Sequence, residues 1–176
     1  MPGATTDKMI APGQIVPRDP ATRVRLAAPA DEPFLRDLHR SSRGADFAAA
    51  DLPPATLDML LEQQYRAQAL GYAAQFPDAR SLIILHRDEP VGRVLLVVGE
   101  RRWHLIDIAL LSSARGQGIG SATIEAIARA ATDTDARELT LSVLFSNAAA
   151  RRLYVRLGFT ETGGDVHVTM TKRLDA

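Results

Sequence analysis

The chain has 176 residues, a length that suits one compact domain with a short extension. Hydrophobic residues make up 46%, enough for a sizeable core, and Lys+Arg and Asp+Glu both number 21, so the formal net charge is zero. That balance argues against nonspecific binding to nucleic acid or acidic membranes, and the absence of cysteine excludes thiol catalysis, Cys-ligated zinc and disulfides.

Residues 1–20 hold four of the ten prolines, two glycines and no hydrophobic periodicity. They read as a flexible or draped tail, with 21–176 as a single domain. The first residues, MPGATTDKMIAPGQ, lack the apolar segment of a secretory leader. No apolar run nears the ~20 residues that span a bilayer. The expectation is a cytoplasmic protein with no membrane partner.

Arg23 to Ala28 alternates weakly and suits a first strand. Asp31 is a candidate cap for a helix running to about Arg43, with Phe34, Leu35 and Leu38 on one face. A loop from Gly44 to Pro54 leads to a second helix, about Ala55 to Gln75. There Leu57, Leu61, Tyr65, Ala69, Tyr72 and Phe76 recur at helical spacing. Three apolar runs come next, Ser81–Arg87, Val91–Gly99 and Trp103–Leu111, suited to strands covered on both faces. Asp88-Glu89-Pro90 and Gly99 to Arg102 are the expected turns between them.

After Leu111 the sequence SSARGQGIGS opens an Ala-rich helix with Ile124, Ile127, Ala128 and Ala131 on one face. A strand from Leu139 to Phe145, a helix from Asn147 to Leu157 stopped by Gly158, and a strand alternating at Val166, Val168 and Met170 complete the chain. The order β-α-α-β-β-β-α-β-α-β implies an α/β (α+β) fold with a mixed sheet and helices on both faces.

The informative segment is Arg115-Gly116-Gln117-Gly118-Ile119-Gly120-Ser121, between a buried strand and a helix. A helix N-terminus offers unpaired N–H groups and the positive end of its dipole, and glycines let an anion approach the backbone. Arg115 can add a charge-assisted bond. A Walker loop would need a lysine that is absent, and a dinucleotide fingerprint would need glycine where Ser121 stands. A glycine-rich turn without a ligand is the bland alternative for the loop alone.

Read as Arg-x-x-Gly-x-Gly, residues 115–120 resemble the pyrophosphate-binding motif of the GNAT superfamily of N-acetyltransferases. Asn147-x-x-Ala150-x-x-Leu153-Tyr154-x-x-x-Gly158-Phe159 resembles the next motif of that family. The two cover Trp103 to Phe159, and the element order extends the match to about 22–173. The resemblance implies a mostly antiparallel mixed sheet of about seven strands. It also implies direct transfer of an acetyl group from acetyl-CoA to a primary amine, carried by a small molecule or a peptide. No metal and no nucleic acid would take part, and a homodimer stays open. Main-chain amides of Gln117, Gly118, Gly120 and Ser121 would hold the CoA diphosphate, with Arg115 and Gly116 leading in and Ile119 part of the same cofactor-binding loop. Ile108, Ala109 and Leu110 would pair with the pantetheine arm. Asn147 would bond that arm or its carbonyls, and Tyr154 would sit near the thioester sulfur as acid for the departing thiolate. A non-catalytic acyl-CoA-binding module on the same fold is the competing reading.

For the base, His104 and Asp107 are the ionisable candidates on the strand before the loop. His104 has a suitable ordinary pKa, and a carboxylate in an apolar strand needs a partner. A regular strand would put the two on opposite faces. For each, a structural polar role is the alternative, as core packing is for Tyr154. The second helix lies where the family binds its acceptor, so Tyr65, Gln68, Tyr72 and Gln75 are candidate lining residues, with core packing favoured for both tyrosines. His86 and His167 have no partners at metal-ligand spacing.

Overall fold

A computed structural model describes residues 14–43, 47 and 52–174. Seven strands form one sheet: β1 (Thr22–Leu26), β2 (Arg80–His86), β3 (Glu89–Val98), β4 (Arg102–Leu110), β5 (Glu138–Leu144), β6 (Thr160–Gly163) and β7 (His167–Arg173). Their spatial order is β1-β2-β3-β4-β5-β7-β6. The β4–β5 pair is parallel and the other five are antiparallel, so the sheet is mixed and mostly antiparallel, as the sequence implied. Four helices complete the fold: α1 (Glu32–Arg43), α2 (Pro54–Gln75), α3 (Ile119–Asp133) and α4 (Ala148–Arg156). Among the described residues, no helix is long and apolar enough to cross a membrane.

Three local features differ from expectation, each for a physical reason. The β2–β3 hairpin turns at Arg87 and Asp88, both with positive φ (53° and 67°), which is the two-residue turn whose twist matches the flanking strands. Glu89 and Pro90 therefore already pair with β2. Pro90 is tolerated because the register slips between Ile84 and Leu85 there. Asp31 does not cap α1. It lies in a 3-10 turn, Pro29–Asp31, where its carboxylate accepts the N–H of Ala28 and both Nη groups of Arg25, each at 2.7 Å. Strand β6 is not foreseen from the sequence, because Thr160–Gly163 is exposed throughout and shows no apolar alternation.

The main core lies between the sheet and α3. Val94, Leu96, Trp103, Leu105, Leu139, Leu141 and Met170 meet Ile124, Ile127, Ala130 and Ala131, and Tyr154 and Leu157 pack against the same cluster. Small alanines let α3 sit close to the sheet. Ile15 is buried in this core and Val16 O accepts from Arg129 at 3.0 Å, so residues 14–20 lie against the domain. Residues 1–13 of the expected tail, and most of the expected loop from Gly44 to Pro54, lie outside the described residues. On the opposite face α1 and α2 bury Leu38, Leu61 and Tyr65. In α2 the inner stripe runs Leu61, Tyr65, Gln68, Tyr72, while Ala69 is exposed.

Two irregularities of the central strands open the sheet. Strands β4 and β5 pair only from Arg102↔Glu138 to Leu105↔Leu141, so beyond Leu105 the β5-facing edge of β4 has no strand partner. In addition the β3–β4 register shifts: Leu95 faces Asp107 while Leu96 faces Leu105, which leaves Ile106 as an extra residue. Such a bulge inverts the alternation after it.

Candidate active site

Gly116 and Gly118 sit at φ 74° and 78°, the left-handed region open to glycine at little cost. A Cβ built on either would meet nothing within 4 Å. The loop thus presents bare backbone beside open space. Gly118 is the N-cap of α3 and makes no side-chain cap, and the first regular helical bond there is Ala122 N–H to Gly118 O. The N–H groups of Ile119, Gly120 and Ser121 therefore form an uncapped positive helix end. This is the chemistry a diphosphate requires, and the donor set fits it. Two side chains of the loop fold back instead: Arg115 Nε donates to Leu110 O at 3.0 Å and Gln117 Nε2 to Ser113 O at 2.7 Å.

Beside the loop lies a cavity of about 340 Å³. Its walls bring together Asp107, Ile108, Ala109 and Leu110 of β4 with Arg115 and Asn147, six of the residues expected from sequence. Asn147 is the N-cap of α4: its Oδ1 accepts the N–H of Ala150 at 3.1 Å, which leaves the amide NH₂ as its remaining donor group. Leu35, Leu38, His39, Ser42 and Arg43 of α1, Gln68 of α2 and Arg93 of β3 form the rest of the wall.

The bulge at Ile106 corrects one expectation. His104 pairs with Val97 and Asp107 with Leu95, so both point to the α1–α2 face. The surroundings agree, since the His104 ring lies 5.7 Å from that of Phe76 and Asp107 acts electrostatically on Tyr72. Even so, the two are not equivalent. His104 is absent from the cavity wall; its Nδ1 lies 2.9 Å from Thr140 Oγ1, and burial, then Arg102, lowers its pKa. Asp107 lines the cavity, and Arg93 Nη2 donates to its Oδ2 at 2.5 Å. This is the partner that a carboxylate on an apolar strand demanded.

Tyr154 packs edge-on against Phe159, with ring centroids 5.8 Å apart. Burial raises its pKa above the usual phenol value, and the nearby charge of Asp107 raises it further. The hydroxyl thus stays protonated across the neutral range and close enough to sense the cavity carboxylate. Tyr72, raised first by burial and then by Asp107, accepts from Gln68 Nε2 at 3.3 Å. Tyr65 is core, as expected: it is buried and its hydroxyl donates to Glu32 Oε2 at 3.1 Å. Gln75 is exposed. Among the described residues no group of three or more His, Asp or Glu side chains could hold a metal ion.

Sequence reasoning missed His39 and Arg93. Arg93 was detectable in principle as a lone cation within an apolar strand, the mirror of the argument applied to Asp107. His39 carries no local signal; only the packing of α1 against β4 brings it to the cavity.

A family model described as the Acetyltransferase (GNAT) family matches residues 45–159. Among solved structures, the PaiA N-acetyltransferase from Thermoplasma acidophilum in complex with coenzyme A superposes with a TM-score of 0.66 at 16% identity, covering 86% of this chain and 98% of that one. RimL, a ribosomal-protein alpha-N-acetyltransferase in complex with coenzyme A, gives 0.64 at 18%, covering 91% and 98%. A ribosomal-protein-alanine N-acetyltransferase from Escherichia coli gives 0.61 at 20%, covering 88% and 95%. At these identities the structures speak for the fold, while the family match covers well over half of the chain. The glycine loop at the head of α3, the unpaired edge of β4 and the match over 45–159 place this chain in the acetyltransferase (GNAT) family.

Proposed function

We propose that the protein transfers the acetyl group of acetyl-CoA to a primary amine by direct attack, with no covalent enzyme intermediate. The observation that carries this reading is the uncapped, glycine-opened end of α3 beside the strand edge that β5 leaves unpaired. The N–H groups of Gln117 to Ser121 hold the diphosphate, and Gly116 and Gly118 keep side chains out of its way. The free edge of β4 at Ile108, Ala109 and Leu110 takes the pantetheine amides as a further strand would, and the Asn147 NH₂ adds one donor. The bound acetyl-CoA supplies the activated acyl group.

The remaining chemistry falls to this chain's own groups. Main-chain N–H groups on the open β4 edge stabilise the oxyanion that forms as the amine adds. Tyr154, kept neutral by burial and by Asp107, gives its proton to the leaving thiolate. Asp107, fixed by Arg93, faces the acceptor and orients its ammonium group. The cavity of about 340 Å³ suits a small amine or the tip of a peptide. The names of RimL and of the ribosomal-protein-alanine enzyme point to protein N-termini as one acceptor class to try first.

The test is release of CoA thiol on mixing the protein with acetyl-CoA and an amine panel: peptides beginning with Ser or Ala, L-lysine and spermidine. Amine-dependent release is expected. Tight acetyl-CoA binding without turnover of any panel member would support a binding module instead.

A further inference from the structure

We infer that His39 is the base that takes the proton from the acceptor amine, an assignment that rests on the acyl-transfer reading of the same cavity. Among the described side chains that line the cavity, only Asp107 and His39 can accept a proton at neutral pH; the others are arginines, amides, a hydroxyl and hydrocarbon. Asp107 already receives Arg93 at 2.5 Å. His104 stands outside the wall with its Nδ1 on Thr140. His39 is different: its Nε2 is buried and, among the described residues, has no well-formed hydrogen-bond partner. Leaving such an atom unsatisfied destabilises the fold, so a native orphan calls for an explanation. His39 lines the cavity, and an amine bound there supplies the missing partner once a small rotation of the ring brings Nε2 to the cavity surface.

The ring is held in place by its neighbours. Tyr65 meets it edge-on with centroids 5.6 Å apart, and Tyr65 is itself fixed by Glu32 and by the Arg36 guanidinium over its face. The groups facing His39 are Arg43 on its own helix, Gln68 on α2, Arg93 on β3 and Asp107 on β4. Burial, reinforced by Arg43 and Arg93, lowers its pKa below 6.5; Gln68, near the ring but without a well-formed bond to Nε2, and Asp107 act in the opposite sense. The imidazole is therefore neutral at neutral pH, with a lone pair available.

In the balanced step, the amine lone pair forms the C–N bond to the thioester carbonyl carbon, and His39 Nε2 accepts the N–H proton. The C–S bond then breaks as the carbonyl re-forms, and Tyr154 protonates the thiolate. Imidazolium then gives its proton to solvent and the Tyr154 phenolate takes one up, so both groups return to their starting states.

The experiment measures kcat/KM against pH for the fastest acceptor among Ser- and Ala-initiated peptides, L-lysine and spermidine, in wild type and His39→Gln. Acetyl-CoA affinity is measured by calorimetry in both. For wild type, log kcat/KM falls with a slope of about one below the pKa of the amine and about two below that of His39. His39→Gln is expected to lose about 100-fold in rate or more at neutral pH, to keep the shallower slope throughout, and to bind acetyl-CoA as wild type does. A variant that still bends to the steeper slope, or that keeps its rate within about threefold, overturns the assignment. Added imidazole is a second arm, used with His39→Ala. Restored turnover supports the base role, since a packing role would not respond. No restoration in a variant that still binds acetyl-CoA counts against it. If wild type itself fails to bind acetyl-CoA, the acyl-transfer reading falls, which is a separate outcome from the failure of His39 alone.

Discussion

The roles of single side chains here follow from what holds them. Tyr154 sits under burial and beside a carboxylate, and both disfavour phenolate. Tyr154→Phe keeps the packing on Phe159 and removes only the proton. Steady-state kinetics should show kcat down by about 100-fold with little change in either KM, within the usual range for a lost general acid. An unchanged kcat would remove the acid role. Arg93 and Asp107 form a half-buried pair, so Asp107→Asn leaves a guanidinium without its counter-charge. Denaturant titration should register a loss of about 1–3 kcal/mol, accompanied by a raised KM for the amine. Asp107 was legible in the sequence as a carboxylate in an apolar strand, and it lies in the cavity wall; Tyr154 was singled out through its motif, and it packs on Phe159 rather than lining that wall. Arg93, across the hairpin from Asp107, left a trace as a lone cation in an apolar strand but was not singled out; His39 on α1 left none, because side-chain proximity across elements is not written locally.

At the scale of elements, geometry comes from backbone departures from regularity. The left-handed Gly118 both starts α3 and clears the approach to its N–H groups. Gly118→Val should weaken acetyl-CoA binding by tenfold or more in calorimetry. It should also cost about 1–2 kcal/mol of stability, because a β-branched residue is strained at positive φ. An affinity unchanged within error would show that the loop does not hold the cofactor. The bulge at Ile106 turns Asp107 onto the α1–α2 face. Element types and most boundaries were readable from periodicity and turn residues. This bulge was not, because an extra residue in an apolar run leaves the pattern looking continuous. The exposed strand β6 escaped for the opposite reason, having no apolar pattern at all.

Across the whole molecule, one face of the sheet carries the main core and the other the cavity proposed for the acceptor, with the splay of β4 from β5 joining them. Stability and activity are accordingly separable. The Arg25–Asp31 pair closes the β1–α1 corner on the cavity-bearing face, remote in sequence from the glycine loop. Arg25, then the Ala28 N–H, lowers the Asp31 carboxyl from 3.8 to about 2. A depressed folded-state pKa adds stability that is fully present above the unfolded value and is lost as pH falls through the folded one. The melting temperature of Asp31→Asn should therefore lie below that of wild type at pH 6, and the gap should close on approaching pH 2. A gap that stays constant with pH would assign the difference to packing rather than charge. At this scale the mixed sheet with helices on both faces was legible from element order and a few connection rules, and the count of about seven strands from the family resemblance. The acceptor was not, since the cavity proposed for it is assembled from α1, α2, β3 and β4 together with the segments that carry Arg115 and Asn147.

A crystal structure of the protein with CoA tests the central claim most directly. The diphosphate should lie within about 2.7–3.2 Å of main-chain nitrogens between Gln117 and Ser121, with the pantetheine arm along Ile108 to Leu110 and the sulfur near Tyr154. A diphosphate bound elsewhere, with the head of α3 facing only solvent, would contradict it.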